Sequence, residues 1–254
     1  MLSFLTLFLI LLSADASSIV ISKINNIDRN IRENPNIRWF FIHCISNCFV
    51  AYYGISDLKK CLRNPYEIDK FSWDENSWNV MNMANLTHFY HCLFFKLTKA
   101  DIIHHVSMVA IAGSIEYYQQ NIICPAVLFF LSGFPGSIDY FLLFLVKLDL
   151  FSKNREKEIY LYITTYIRGP GACILSYISL YNFYITNNFN IFYILSNILV
   201  FWNGQYYLMK HSFDYGKYLQ NYKLQKISWV EKNSPKNQRL PISPEKINKI
   251  QKID

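Results

Sequence analysis

The sequence predicts an all-α, polytopic transmembrane helical bundle of six to seven spans, with a disordered cytosolic C-terminal tail. Three observations carry this expectation. Hydrophobic residues fill 52% of the 254 positions, and aromatic residues 17%. Apolar segments of about 20 residues recur, the length that crosses a hydrocarbon core of roughly 30 Å at about 1.5 Å per residue. Stretches such as Ile122 to Leu131 and Phe189 to Leu208 carry no charge on any face, whereas a helix of a soluble domain keeps one face polar.

The first segment, Leu2 to about Ile21, starts without Lys or Arg and ends before Lys23. Two readings of it stand. An uncharged front followed by Lys23, Arg29, Arg32 and Arg38 predicts an uncleaved anchor with its N-terminus outside; a cleaved signal peptide is the alternative, with Ser13 to Ser17 as a weak cleavage site. The second span covers about Trp39 to Ile55, followed by a polar connection from Asp57 to Glu75. The third runs from about Trp78 to Phe95, and the short link Lys96 to Asp101 leads into the fourth, Ile102 to Tyr118. Asn85-Leu86-Thr87 has the glycosylation pattern but falls inside the third span, out of a glycosyltransferase's reach. The fifth, Ile122 to Val146, is interrupted by Ser132-Gly133-Phe134-Pro135-Gly136, and the sixth, about Ile159 to Tyr184, by Gly169-Pro170-Gly171. Proline removes a helical donor and glycine loosens the backbone, so both spans are expected to be kinked or broken. The seventh covers Phe189 to Met209, and the tail from His211 onward is polar, with Pro235, Pro241 and Pro244. The chain thus divides into an N-terminal anchor and basic loop (1–36), a transmembrane domain (37–210) and a basic tail (211–254), without an internal repeat.

Charge orients these spans. The link 23–38, Lys96 to Lys99, Lys147 to Lys157 and the tail hold most of the Lys and Arg, while the opposite side receives Lys59, Lys60, Arg63 and Lys70. The positive-inside rule then places the tail in the cytosol and the N-terminus outside, or in the lumen of the endoplasmic reticulum or a related endomembrane. The net charge of +7 suits an anionic leaflet, so the expected partners are membrane lipids and not nucleic acid; a helix–helix oligomer or a tail-binding protein is left open. The six cysteines lack paired metal-ligand spacing and read as small packing residues.

Ionisable residues inside apolar spans are costly and point to function. They are His43, His88, His91, His104, His105, Asp139 and Arg168. Counted from the charged ends at about 1.5 Å per residue, His91 and His104 lie roughly 7 and 5 Å deep, Asp139 roughly 12 Å and Arg168 roughly 15 Å. Four spans therefore bring titratable groups into one half of the bilayer. Asp139 and Arg168, at matching depth beside the two Gly/Pro breaks, are expected to form either a structural ion pair or a site in which Asp139 orients a histidine. His88 and His91 share a helix face. His104 and His105 open the next helix, where only one of two adjacent residues is expected to face the centre. A neutral imidazole there is a candidate general base, with His104, His105 and Asp139 as catalytic candidates and His91 and Arg168 as substrate-binding candidates. Histidine-box oxygenases use about eight histidines, more than the six of this chain, so no metal and no resident cofactor are expected.

From about residue 37 to 210 the chain resembles the TLC domain family, which includes the ceramide synthases and the TRAM translocation proteins. The residues that carry the resemblance are Arg38-Trp39 with His43, the run Asp101-Ile102-Ile103-His104-His105, and Trp202-Asn203 in the last span. The resemblance implies the fold above and a role in membrane lipid handling, sensing or trafficking. Ceramide synthases join an acyl-CoA to a sphingoid amine with a histidine pair and two later aspartates. Asp139 and Lys147 match the end of that second motif, but Ser132, Gly133 and Phe134 stand where its first aspartate would be. A lipid N-acyltransferase is therefore the alternative, with acyl-CoA as co-substrate met by Arg168 or cytosolic lysines. A small-solute transporter is a second alternative, suggested by the two broken helices.

Overall fold

The computed structural model describes residues 1–24, 36–187 and 190–233. Arg29, Arg32, Phe189 and the three tail prolines lie outside the described residues. The chain divides into two compact units, Met1–Ser212 and Phe213–Asp254. Among the described residues every regular element is helical, apart from one isolated bridge between Ser72 and Asn121.

Seven helical rods follow the seven apolar segments in order. They are α1 (Phe4–Ile24), α2 (Asn36–Arg63), α3 (Glu75–Phe94), α4 (99–119), α5 (Ile123–Lys147), α6 (153–186) and α7 (Ile191–Asn233). Two of them, α1 and α5, are long and apolar enough to cross a membrane by length and composition. Starts are set by side chains. Asp74 and Ser77 form a reciprocal capping box at α3, Thr98 and Asp101 form another at α4, and Ser152 caps α6.

The two expected breaks are not gaps. In each, a π-helical segment precedes the Gly/Pro run: Phe129–Gly133 before Pro135, and Thr164–Arg168 before Pro170. A proline nitrogen donates nothing to the turn before it, and a widened turn absorbs the mismatch while the rod stays helical. A third π segment, His105–Gly113, runs through the middle of α4 without a proline and was not foreseen.

The glycines of the breaks serve close packing. α2 is the central rod, against α1, α3 and α5. A Cβ on Gly136 would lie 2.6 Å from Asn47 Nδ2 of α2, and one on Gly171 would overlap the Phe130 ring. α1 packs Leu7 and Leu11 against Ile42 of α2 and Met83 and Tyr90 of α3.

Large apolar side chains stand outside the rods while amides and hydroxyls share the interior with the apolar core. Tyr52, Phe89, Ile103, Tyr177, Phe192 and Trp202 are exposed on α2, α3, α4, α6 and α7. The interior holds Asn47, Asn79, Asn82, Ser179, Asn182 and Asn203, each at most 6% exposed.

α7 corrects the expectation for the tail. The helix continues past His211 to Asn233, so that stretch, expected to be disordered, is helical. Its composition is polar, but its first proline is Pro235, beyond the helix end, and nothing before it blocks the ladder.

Candidate functional site

A cavity of about 470 Å³ lies among α2–α7 within the first unit. All six histidines of the chain line it: His43, His88, His91, His104, His105 and His211. The five residues singled out from sequence, His91, His104, His105, Asp139 and Arg168, all line this one cavity.

The imidazoles cluster where α3 turns into α4. Four residues, 95–98, separate the end of α3 from the first turn of α4, which brings the ends of the two rods side by side. His88 lies 5.1 Å from both His104 and His105, ring centre to ring centre, and His91 lies 5.2 Å from His105. Both members of the adjacent pair line the cavity. Cys92 Sγ, one residue after His91, is 3.4 Å from His105 Nδ1.

Aromatic rings fix the cluster laterally. Trp39 of α2 stacks on His91 at 3.7 Å and meets the edge of His43 at 3.8 Å. His43 in turn stacks on Tyr140 of α5 at 4.4 Å. The residues of the expected Arg38-Trp39-His43 lead-in thus contribute two walls of the site.

Arg168 and Asp139 do not form the expected ion pair. The Arg168 guanidinium donates from NH1 to Tyr160 Oη at 2.9 Å and from NH2 to Asn203 Oδ1 at 3.1 Å, and it lies over the Tyr207 ring at 4.5 Å. Its Nε has no partner among the described residues. Asp139 lines the same cavity without a hydrogen bond to a histidine or to Arg168 among the described residues. Axial depth places the two at one level, but neutral oxygens of α6 and α7 reach the guanidinium first. This distribution spreads the positive charge over an acceptor, a phenol and a π face.

Two contributors escaped the sequence. Glu116, 4% exposed, accepts a short hydrogen bond from Ser196 Oγ, while its Oε2 has no partner. It is a carboxylate inside the fourth apolar segment, the same signal that singled out Asp139, but near the span's end. His211 follows Lys210 and was assigned to the tail; it packs on Tyr160 at 4.5 Å.

Chemically the cavity offers imidazoles that donate or accept, one arginine with a free donor, and carboxylates at two levels. Among the described residues no group of three His, Cys, Asp or Glu side chains is arranged to hold a metal ion. No family model matches the chain, and no curated protein or solved structure matches it.

Proposed function

We propose that this chain is a multi-pass, TLC-like membrane protein that holds the polar head of a membrane lipid in the histidine-lined cavity, in the service of lipid handling, sensing or trafficking. One observation carries the reading. Every histidine, together with Arg168, Asp139 and Glu116, turns toward one interior cavity, while large apolar side chains cover the outside of the rods. In water this arrangement would expose apolar surface at a cost of about 25 cal/mol per Å². In a bilayer the outside is solvated by acyl chains, and the polar interior is the site. In this reading the seven rods span an endomembrane, with the N-terminus lumenal and the tail cytosolic, following the lysines and arginines of the links.

The experiment is photo-crosslinking in membranes with a phospholipid carrying a diazirine near its head group. Cross-links are expected on α3, α4 and α7 segments that line the cavity, and Arg168→Ala is expected to reduce them about tenfold. Labelling confined to the outward faces, unchanged in the variant, would reject a head-group site.

A catalytic reading, lipid N-acyl transfer, has one observation in its favour: His88 Nδ1 is buried without a partner, next to His104 and His105. In such a step an imidazole takes the proton from an attacking amine, the amide C–N bond forms, and the thioester C–S bond breaks to release the CoA thiolate. Expression in cells lacking ceramide synthases, compared with His104→Ala/His105→Ala, tests it by lipid mass spectrometry. A histidine-dependent amide lipid supports the transferase; an unchanged lipid profile with normal insertion rejects it.

A further inference from the structure

Two buried side chains in the cavity each present an unsatisfied polar atom of opposite character. Arg168 is 8% exposed and Glu116 4% exposed, and neither Arg168 Nε nor Glu116 Oε2 has a partner among the described residues. A buried guanidinium N–H without an acceptor and a buried carboxyl oxygen without a donor each lose a hydrogen bond that water would supply. Both side chains are held in place by neighbours on the same helix: Asn203 accepts from Arg168, and Ser196 donates to Glu116. Those anchors are seven residues apart on α7, about 10 Å along the axis, and both line the cavity. The arginine is thus fixed at one level, with the carboxyl about two turns deeper.

We infer that the cavity takes a dipolar ligand whose anionic group meets Arg168 Nε and whose amine meets Glu116 Oε2, as in a phosphate joined to a primary ammonium by a short linker. This rests on the head-group reading above and narrows it to a class. An anionic ligand lacking an amine leaves Glu116 unsatisfied. A neutral one leaves both atoms so. A short phosphate-to-ammonium linker with a hydrogen bond of about 2.9 Å at each end is of the length that separates the two levels. The ligand is either a membrane lipid or a free amino-phosphate, since the two share this chemistry.

The test uses the full chain in nanodiscs, with retained lipid counted by native mass spectrometry. Nanodiscs contain equal parts phosphatidylethanolamine, phosphatidylglycerol and diacylglycerol. The expected result is about a tenfold preference for phosphatidylethanolamine over phosphatidylglycerol, with diacylglycerol least. Glu116→Gln keeps the side-chain shape and is expected to remove the preference while phosphatidylglycerol stays bound. Arg168→Ala is expected to weaken both phospholipids alike. Ser114→Ala, an exposed position two residues before Glu116 whose hydroxyl bonds only to its own helix, is expected to keep the preference, which separates loss of the amine contact from a general disturbance of α4. Free phosphoethanolamine added to the wild type distinguishes the sources: displacement of the lipid at micromolar levels assigns the site to the soluble compound, and retention of the lipid assigns it to the membrane.

Equal retention of the two phospholipids, or a preference that survives Glu116→Gln, overturns the inference and leaves the head-group site standing. Retention of phospholipids no better than diacylglycerol overturns both.

Discussion

The Arg38 guanidinium grips the Asp15 carboxylate with two nitrogens, Nε at 2.6 Å and NH2 at 2.5 Å. Tyr90 adds a third donor, its hydroxyl lying 2.7 Å from Asp15 Oδ2. One buried carboxylate of α1 is therefore held by a cation from α2 and a phenol from α3. Bidentate, charge-assisted pairing of this kind is geometrically specific. It fixes the rotation of α1, whose first half, Phe4 to Leu12, is almost wholly apolar and offers little other reason to prefer one face.

The first prediction follows from that pair. Asp15→Ala strands Arg38 and Tyr90 together and is expected to destabilise the protein by about 3 kcal/mol. Arg38→Ala leaves Asp15 its tyrosine and is expected to cost less. The double variant should lose well less than the sum of the singles, since each single change already breaks the same unit. Thermal unfolding in detergent measures all three, and additive losses would show that the two side chains act independently.

A second carboxylate network sits at the opposite ends of α2 and α3. Lys60 Nζ is 2.6 Å from Asp74 and 3.1 Å from Asp57, and Ser77 Oγ donates to Asp57 at 2.8 Å. Burial pushes the Asp74 carboxyl up, but the Lys60 bond and the Ser77 and Asn76 amides hold it below its ordinary value of 3.8. Burial also opposes the Lys60 charge, yet its two aspartates keep it above its ordinary 10.5. Asp57 is different: burial raises it, despite Ser77 and Lys60.

The signs give the pH dependence. A depressed carboxyl stabilises the fold above its unfolded value and loses that contribution as pH falls through the folded one; a raised lysine contributes below its unfolded value and loses it as pH rises past the folded one. Asp57, a raised carboxyl, works against Asp74 and contributes fully only in acid. Lys60→Met is therefore expected to lower the melting temperature most between about pH 5 and 9, with the gap to wild type closing below about pH 3 and above about pH 11. A gap that stays constant from pH 3 to 9 would show that Lys60 acts by packing alone.

Much of this was legible before the fold was known, and the reasons differ by residue. His104, His105, Asp139 and Arg168 stood out because a polar group inside an apolar segment needs a polar partner, so finding them on one cavity follows from that cost. Counting residues gives depth but not azimuth, which is why Asp139 and Arg168, level with each other, looked like a pair while the guanidinium had closer oxygens on Tyr160 and Asn203. The π segment from His105 to Gly113 has no sequence marker comparable to Pro135 or Pro170. Glu116 and His211 stood near the ends of their segments, where charge is ordinary, and only tertiary packing turns them inward. The helix from His211 to Asn233 shows that polar composition alone does not exclude a helix.

Glycine spacing supplies a third prediction. Gly136→Ala places a methyl 2.6 Å from Asn47 Nδ2, which forces α2 and α5 apart or displaces the amide. The expected cost is about 1–3 kcal/mol. Gly216, in the second unit, has nothing within 4 Å of the equivalent position, so Gly216→Ala in a helix interior is expected to be neutral or to stabilise by up to about 1 kcal/mol. Melting temperatures of the two variants decide it, and equal effects would remove the steric account of the Gly/Pro break.

The fourth prediction bears on the membrane itself, through a cysteine. Cys48 is exposed on α2, one turn before Tyr52, which is 74% exposed. In water such a thiol would react readily with a small polar maleimide. If α2 spans a bilayer, the surface around Cys48 is covered by acyl chains, which a charged reagent does not enter. In open membrane fragments Cys48 is therefore expected to remain unlabelled by a sulfonated maleimide, as read peptide by peptide in a mass spectrometer, and to react once the membrane is dissolved in denaturant. Gly216→Cys, on the solvated part of α7, is expected to label within minutes under both conditions. Labelling of Cys48 in fragments as fast as at that control would mean that water reaches the outer face of α2, and the bundle would have to bury that face against protein instead of lipid.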